Sequence, residues 1–158
     1  MTDDFNSFSE LNESQLQAVE KAKSLAMAGK YVEAAECIIP STASTDPEPT
    51  RMVILYYTMA NQYDKVIEWC KKVDSIEGHL YSLLSWVRRI LGQCYEEGLG
   101  VEKDLIQAFR WYDMACCVND VSDQYLKERD EFLHRHPELK ELPEVQSALA
   151  PLDDDNDY

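Results

Sequence analysis

The sequence predicts an all-α protein built from repeated αα-hairpins and closed by a C-terminal capping helix. Three observations lead there. A ten-residue stretch recurs at an offset of 32 residues: Ala28-Gly29-Lys30-Tyr31-Val32-Glu33-Ala34-Ala35-Glu36-Cys37 over Ala60-Asn61-Gln62-Tyr63-Asp64-Lys65-Val66-Ile67-Glu68-Trp69. Helix breakers are scarce, with 5 Gly and 6 Pro in 158 residues, while Ala, Leu, Glu and Gln are common, a balance that favours helix. Apolar residues recur at helical i, i+3, i+4, i+7 spacing, most clearly at Ala108, Trp111, Tyr112 and Ala115, which marks one buried stripe.

The recurrence supplies the first two units. Gly29 and Asn61 tolerate the left-handed conformation that ends a helix. Tyr31 and Tyr63 are expected between the helices of each hairpin, and Ala34 and Val66 where those helices approach. The first hairpin is expected over 14–40, its first helix at 14–28 with Leu16, Val19, Ala22, Leu25 and Ala26 inward, and its second at 32–39, stopped by Pro40. Residues 41–49 carry two prolines and several Ser and Thr, which predicts a loop. The second hairpin, within 47–75, uses helices at 50–60 and 64–73. The third, within 79–118, begins with a helix at 79–97. A helix at 121–134 is expected to cap the stack, because a terminal repeat cannot bury its outer face alone. Pro137 ends it, and a short helix over 143–150 completes the cap (120–150). Residues 1–13 are expected to be a flexible acidic segment, and 151–158 (PLDDDNDY) a disordered acidic tail.

The third unit is the most specific. Leu91-Gly92-Gln93-Cys94-Tyr95-Glu96-Glu97-Gly98-Leu99-Gly100-Val101-Glu102-Lys103-Asp104 is followed by Ala108, Trp111, Tyr112 and Ala115. Gly98 and Gly100 punctuate an extended turn, Val101 is placed to plug it, and Asp104 is placed to cap the next helix, with Gln107 three residues on as in a capping box. This run resembles the Sel1-like repeat, roughly LGxxYxxGxGVxxDxxxAxxWYxxAA. It departs only at the final Ala, which is Cys116 here. The 32-residue recurrence resembles the tetratricopeptide hairpin, whose period is about 34 residues. The resemblance implies a right-handed superhelix with a groove lined by the first helix of each hairpin.

Composition narrows the function. Thirty acids against fifteen bases give a formal net charge of −15. Residues 1–13 and 151–158 each hold four acids and no base, leaving −7 between them. Such a surface repels phosphate backbones, so nucleic acid and anionic membranes are not expected as partners, whereas a basic protein would be attracted and steered. The start, Met1-Thr2-Asp3-Asp4, is acidic and leads into no apolar signal stretch. No apolar run approaches the roughly 20 residues a membrane span requires. A cytoplasmic location is expected, with Cys37, Cys70, Cys94, Cys116 and Cys117 reduced. Oligomeric state is not legible.

The residues give no support for catalysis, a cofactor or a metal. The five cysteines show no CxxC spacing, and four of them (Cys37, Cys70, Cys94, Cys116) read as small buried hydrophobes. His134 and His136, two apart around a helix end, cannot share a helical face, against the four ligands of a usual zinc site. Acids such as Glu128, Asp130 and Glu131 read as a solvated face. No nucleophile elbow, phosphate loop, dinucleotide fingerprint or HExxH motif is present.

The resemblance assigns groove positions residue by residue. They fall on Leu16, Val19, Lys23, Ala26 and Met27 in the first unit, and on Arg51, Leu55, Thr58 and Met59 in the second. In the third they fall on Trp86, Arg89, Gln93, Glu96 and Glu97. The apolar members Met27, Leu55, Met59 and Trp86 are candidate anchors. Lys23, Arg51 and Arg89 are candidates to read polar or carboxylate groups on a peptide. The carboxylate-clamp pattern of chaperone-tail binders is not matched, since its third-unit basic positions hold Trp86 and Ile90. The expected function is a non-catalytic adaptor or scaffold that holds a partner protein or peptide in the groove. One alternative is an acidic immunity protein that neutralises a basic bacterial toxin, because small, strongly acidic Sel1-like proteins resemble such inhibitors. A second is a small secretion chaperone of tetratricopeptide type, against which the Sel1-like unit argues.

Overall fold

The computed structural model describes residues 11–75, 80–118 and 123–151. These residues form helices and turns and contain no strand. In order they are α1 (Glu13–Met27), α2 (Tyr31–Ile38), α3 (Pro47–Met59), α4 (Tyr63–Ser75), α5 (Leu84–Glu97), α6 (Leu105–Cys116), α7 (Asp123–Arg135) and α8 (Pro143–Leu149). Short 3-10 helices lie at Ile39–Ala43, Tyr81–Leu83 and Pro137–Glu141. From α1 to α7, each helix packs chiefly on the helix next to it in sequence, as a repeat stack requires.

The turns show why the units are equivalent. Gly29, Asn61 and Gly98 all have positive φ, at 76°, 55° and 73°. The residue after each donates its backbone N–H to the carbonyl five positions back: Lys30 to Leu25, Gln62 to Tyr57 and Leu99 to Cys94, each at 2.9 Å. This Schellman closure satisfies a carbonyl that the helix end would otherwise orphan. In the first two units the second helix starts at once. In the third, seven residues (98–104) separate the helices, and the Asp104 N–H closes the turn by donating to the Tyr95 carbonyl at 2.9 Å. The Asp104 carboxylate accepts from the N–H groups of Ile106 and Gln107, both at 3.0 Å. The expected reciprocal bond from Gln107 has no role, because the Asp104 N–H is already taken.

Several boundaries differ from the sequence reading. Leu11 packs on the core and Asn12 forms a capping box with Gln15, so folded structure starts before position 14. The expected loop at 41–49 is divided between the 3-10 helix Ile39–Ala43 and the first turn of α3, which starts at Pro47. Pro47 and Pro49 fit there because the first N–H groups of a helix have no intrahelical acceptor. The helix expected from residue 79 begins as α5 at Leu84, preceded by a 3-10 turn. The expectations for residues 1–10, His79, Val121 and 152–158 lie outside the described residues.

Buried side chains fall into two clusters. The larger takes Ile38, Val53, Ile54, Val66, Val87, Leu91 and others from α1 to α5, with Leu99, Val101 and Trp111 packed on its edge. The smaller holds Ala108, Phe109, Tyr112, Phe132, Leu133, Leu139 and Val145, from α6 through α8. α6 is the wall between them. Consecutive helical residues point about 100° apart, so Trp111 faces one cluster and Tyr112 the other. Trp111, expected on one buried stripe with Ala108, Tyr112 and Ala115, is only half-buried.

Two glycines of the third unit are dictated by close approach. A Cβ on Gly92 would lie 3.0 Å from the Tyr112 ring, so its absence lets α5 and α6 meet. A Cβ on Gly100 would lie 2.6 Å from the Tyr63 carbonyl carbon and 2.8 Å from the Asp64 nitrogen. The turn therefore rests directly on the start of α4. Ser85 reinforces the α5–α6 contact by donating its hydroxyl to the Ala115 carbonyl at 2.9 Å.

Candidate partner-binding groove

α3 and α5 border a cleft whose floor comes from the start of α4 and the turn after α5. Leu55 and Thr58 line one wall, Trp86, Arg89, Ile90 and Gln93 the other, around about 150 Å³. One helical turn further along α5, a second cavity of about 240 Å³ opens between α5 and α7. Arg89 and Gln93 belong to both. α5 presents both cavities because residues 86, 89, 93, 96 and 97 follow the helical repeat along one side. The first cavity is apolar with a polar edge. The second is mainly polar, with Glu96, Glu97, Glu128 and Glu131 facing Arg89 and Arg135.

The expected groove residues divide accordingly. Leu55, Trp86, Arg89 and Gln93 are brought together in the first cavity, and Arg89, Gln93, Glu96 and Glu97 in the second. Met59 lies one turn from Leu55 on α3 and is 53% exposed, and Met27 ends α1 at 89% exposed; both lie outside the two cavities. Lys23 and Arg51 also stand apart, each held by an acid of its own helix. Lys23 Nζ lies 3.2 Å from Glu20, and Arg51 makes two hydrogen bonds to Glu48, at 2.8 and 2.6 Å. Those bonds, outweighing a smaller opposing effect of burial, hold the Arg51 pKa above its ordinary value. Val19, assigned to the groove by the resemblance, is a core residue instead.

Glu96 is the largest departure. Expected to face a partner, it is 9% exposed and its carboxylate is engaged from three sides. The Tyr112 hydroxyl donates to Oε2 at 2.9 Å. The Arg135 guanidinium donates Nε–H to Oε1 at 2.8 Å and Nη2–H to Oε2 at 3.0 Å. His136 Nε2 lies 3.0 Å from Oε1. Burial alone would push the carboxyl pKa up, but the hydrogen bonds from Arg135, His136 and Tyr112 outweigh it and hold the carboxyl below its usual value. The same burial and bond push the Tyr112 phenol up. Glu96 thus ties α5 to α6 and to the end of α7, and so fixes the far wall of the second cavity.

The sequence reading did not place that wall beside the groove. Glu128 and Glu131, read as a solvated face, line the cavity, and so does Arg135. The one signal was the i, i+3, i+7 spacing of 128, 131 and 135, which puts them along one side of α7. Elsewhere α7 is pinned to α6 by Arg129, whose Nη1 donates to Asp113 at 2.9 Å, and α8 to α6 by the Arg110–Glu144 ion pair.

Burial holds three of the five cysteines back from chemistry. Cys70 and Cys94 are buried, Cys37 and Cys116 half-buried, and Cys117 exposed. Burial pushes the Cys94 and Cys116 thiols up to about 11 and Cys70 further still, so these three stay protonated and unreactive near neutrality. Among the described residues, no group of three or more His, Cys, Asp or Glu could hold a metal ion, and no helix is long and apolar enough to cross a membrane.

Residues 89–120 match the family model of the Sel1 repeat, a span that takes in most of α5, the glycine turn and α6. The match covers about a fifth of the chain, and the all-helical hairpins before it are consistent with a Sel1/tetratricopeptide-like repeat. Sel1 repeats are generally protein–protein interaction modules and typically non-catalytic. No curated protein and no solved structure matches the chain.

Proposed function

We propose that this Sel1-repeat chain is a non-catalytic binding module that holds a partner protein or peptide in the cleft running from α3 across α5 to α7. The observation that supports it is the convergence of Leu55, Trp86, Arg89 and Gln93 on one apolar cleft. Trp86, Arg89 and Gln93 share one side of α5, the fold sets Leu55 of α3 opposite them, and the resemblance assigns all four to a ligand-facing surface. Leu55 and Trp86 offer apolar anchors, and large aromatics together with Arg dominate interface energies. The net charge of −15 favours a basic partner, which would also suit an acidic inhibitor of a basic toxin.

Site-specific photocrosslinking tests this reading. A photoreactive amino acid replaces Trp86 in one version and Lys65, exposed on α4, in another. Each is irradiated in extract from the native organism. Adducts to one protein from position 86 and none from position 65 support the cleft as the binding surface. Adducts from position 65 alone overturn it.

A further inference from the structure

The second cavity has a chemistry of its own. Its lining carries four carboxylates against two guanidiniums, and the pairs inside it are unequal. Glu96 is fully engaged with Arg135. Arg89 and Glu128 are a loose pair: Arg89 Nε stands 3.6 Å from Glu128 Oε2, beyond hydrogen-bond distance. That oxygen is buried, and no donor among the described residues reaches it. Glu97 is exposed and, among the described residues, accepts a 3.2 Å bond from the Gln93 amide, and Glu131 meets Lys127 at 3.8 Å. A buried carboxylate oxygen without a donor is destabilising and is normally met by some partner. Arg89 has somewhere else to go, because it also lines the apolar cleft, and its side chain is long and flexible.

We infer that the cavity between α5 and α7 accepts a cationic side chain of the bound partner, an arginine or lysine, which takes Arg89's place beside Glu128. The entering group gives Glu128 Oε2 the donor it lacks and finds Glu97 and Glu131 at the mouth. Displaced Arg89 turns into the apolar cleft, towards the partner's backbone carbonyls. The two cavities are offset by one turn of α5, about 5.4 Å, close to the separation of side chains three or four residues apart on a helix. The recognised element is therefore an apolar residue with a base one helical turn away. This inference rests on the cleft being the binding surface, and it names what one end of the cleft selects.

The test uses N-acetyl-arginine amide as the probe and N-acetyl-glutamate amide as its control, titrated into the isotopically labelled full chain and followed by NMR. The arginine amide is expected to give saturable shifts at the backbone amides near 93, 97 and 131 and at the Gln93 side-chain amide. In the double variant Glu97→Gln/Glu131→Gln, affinity is expected to fall about tenfold or more. Both positions are exposed and the replacements keep the shape, so the fold is retained. In Arg89→Met, which removes the resident cation, the arginine amide is expected to bind several-fold more tightly. Equal shifts with the glutamate amide, or non-saturating shifts spread over the acidic surface, would overturn the inference. So would unchanged affinity in the double variant or weaker binding in Arg89→Met. Crosslinking from position 86 is independent of these titrations, so the cation site can fail while the cleft stands.

Discussion

Replacing Glu96 with Gln removes the charge from the junction of α5, α6 and α7 while keeping its shape. The carboxylate takes a 2.9 Å bond from Tyr112, a bidentate pair from Arg135 at 2.8 and 3.0 Å, and a 3.0 Å contact from His136. Breaking a fully buried charge pair from one side costs about 3–5 kcal/mol. Here the Arg135 side chain is 50% exposed and can be resolvated, and the amide of Gln can still accept one bond. The expected loss is about 2–3 kcal/mol. A double-mutant cycle with Arg135→Met isolates the pair, and its coupling should be about 1–2 kcal/mol. Urea unfolding followed by tryptophan fluorescence and circular dichroism measures the total. Amide hydrogen exchange should show α7 losing protection while α1 to α4 keep theirs. The pH dependence has a definite sign. The folded-state pKa of Glu96 is depressed, so its contribution is complete above the unfolded carboxylate value of about 4.3. It is lost as pH falls through the folded value. The Glu96→Gln protein should therefore show a shallower acid limb than the wild type. Coupling below about 0.3 kcal/mol, or unchanged protection in α7, would refute the assignment of Glu96 as the tie between helices.

The glycines give a paired test. Gly100→Ala should destabilise by about 3 kcal/mol, since a left-handed φ of 71° and a 2.6 Å approach to the Tyr63 backbone act together, whereas Gly29→Ala, with φ 76° and open space around it, should cost only about 1 kcal/mol; equal losses in denaturant unfolding would show that the turn does not rest on α4. In the core, Phe109→Ala should cost about 3–5 kcal/mol because Phe109 is 2% exposed. Trp111→Ala should cost about half that, being half-buried, and the reverse order in thermal melts would place α6 the other way round. A thiol reagent at neutral pH should label Cys117 first in the native protein and Cys70, Cys94 and Cys116 slowly or only on unfolding, and rapid labelling that survives the double variant Cys37→Ser/Cys117→Ser would contradict the burial of those three.

Much of the fold was legible because it is written in local rules. The tyrosine and glycine recurrence fixed the hairpin turns, and Gly29 and Asn61 do occupy equivalent left-handed positions. Asp104 caps α6 as its residue type requires. Errors came where two local rules compete. Proline reads as a breaker in general and as a helix starter at the first turn, and only the Asp46 cap decides for the latter. The site was half legible. Positions along α5 follow from helical period alone, so Trp86, Arg89 and Gln93 could be grouped without coordinates. The contribution of α7 depends on how far that helix leans over α5. The partners of Glu96, 39 and 40 residues away in sequence, lie beyond any periodic rule. A glutamate that seals a junction and one that meets a ligand look alike in sequence.

The division of the interior by α6 also sets an order of assembly during synthesis. Chains emerge N-terminus first, and the helices that build the larger cluster, α1 to α5, precede α7 by a long interval of translation. During that interval Phe109, Tyr112 and the Glu96 carboxylate have only the cover that α5 and α6 give one another, because the rest of what buries them comes from residues 132–145. A chain that folded as it emerged would have the residues of the apolar cleft before those that α7 adds to the second cavity. If the cleft and the cation site act as proposed, a partner present at that stage would meet the apolar half before the charged half, and selectivity would arrive last.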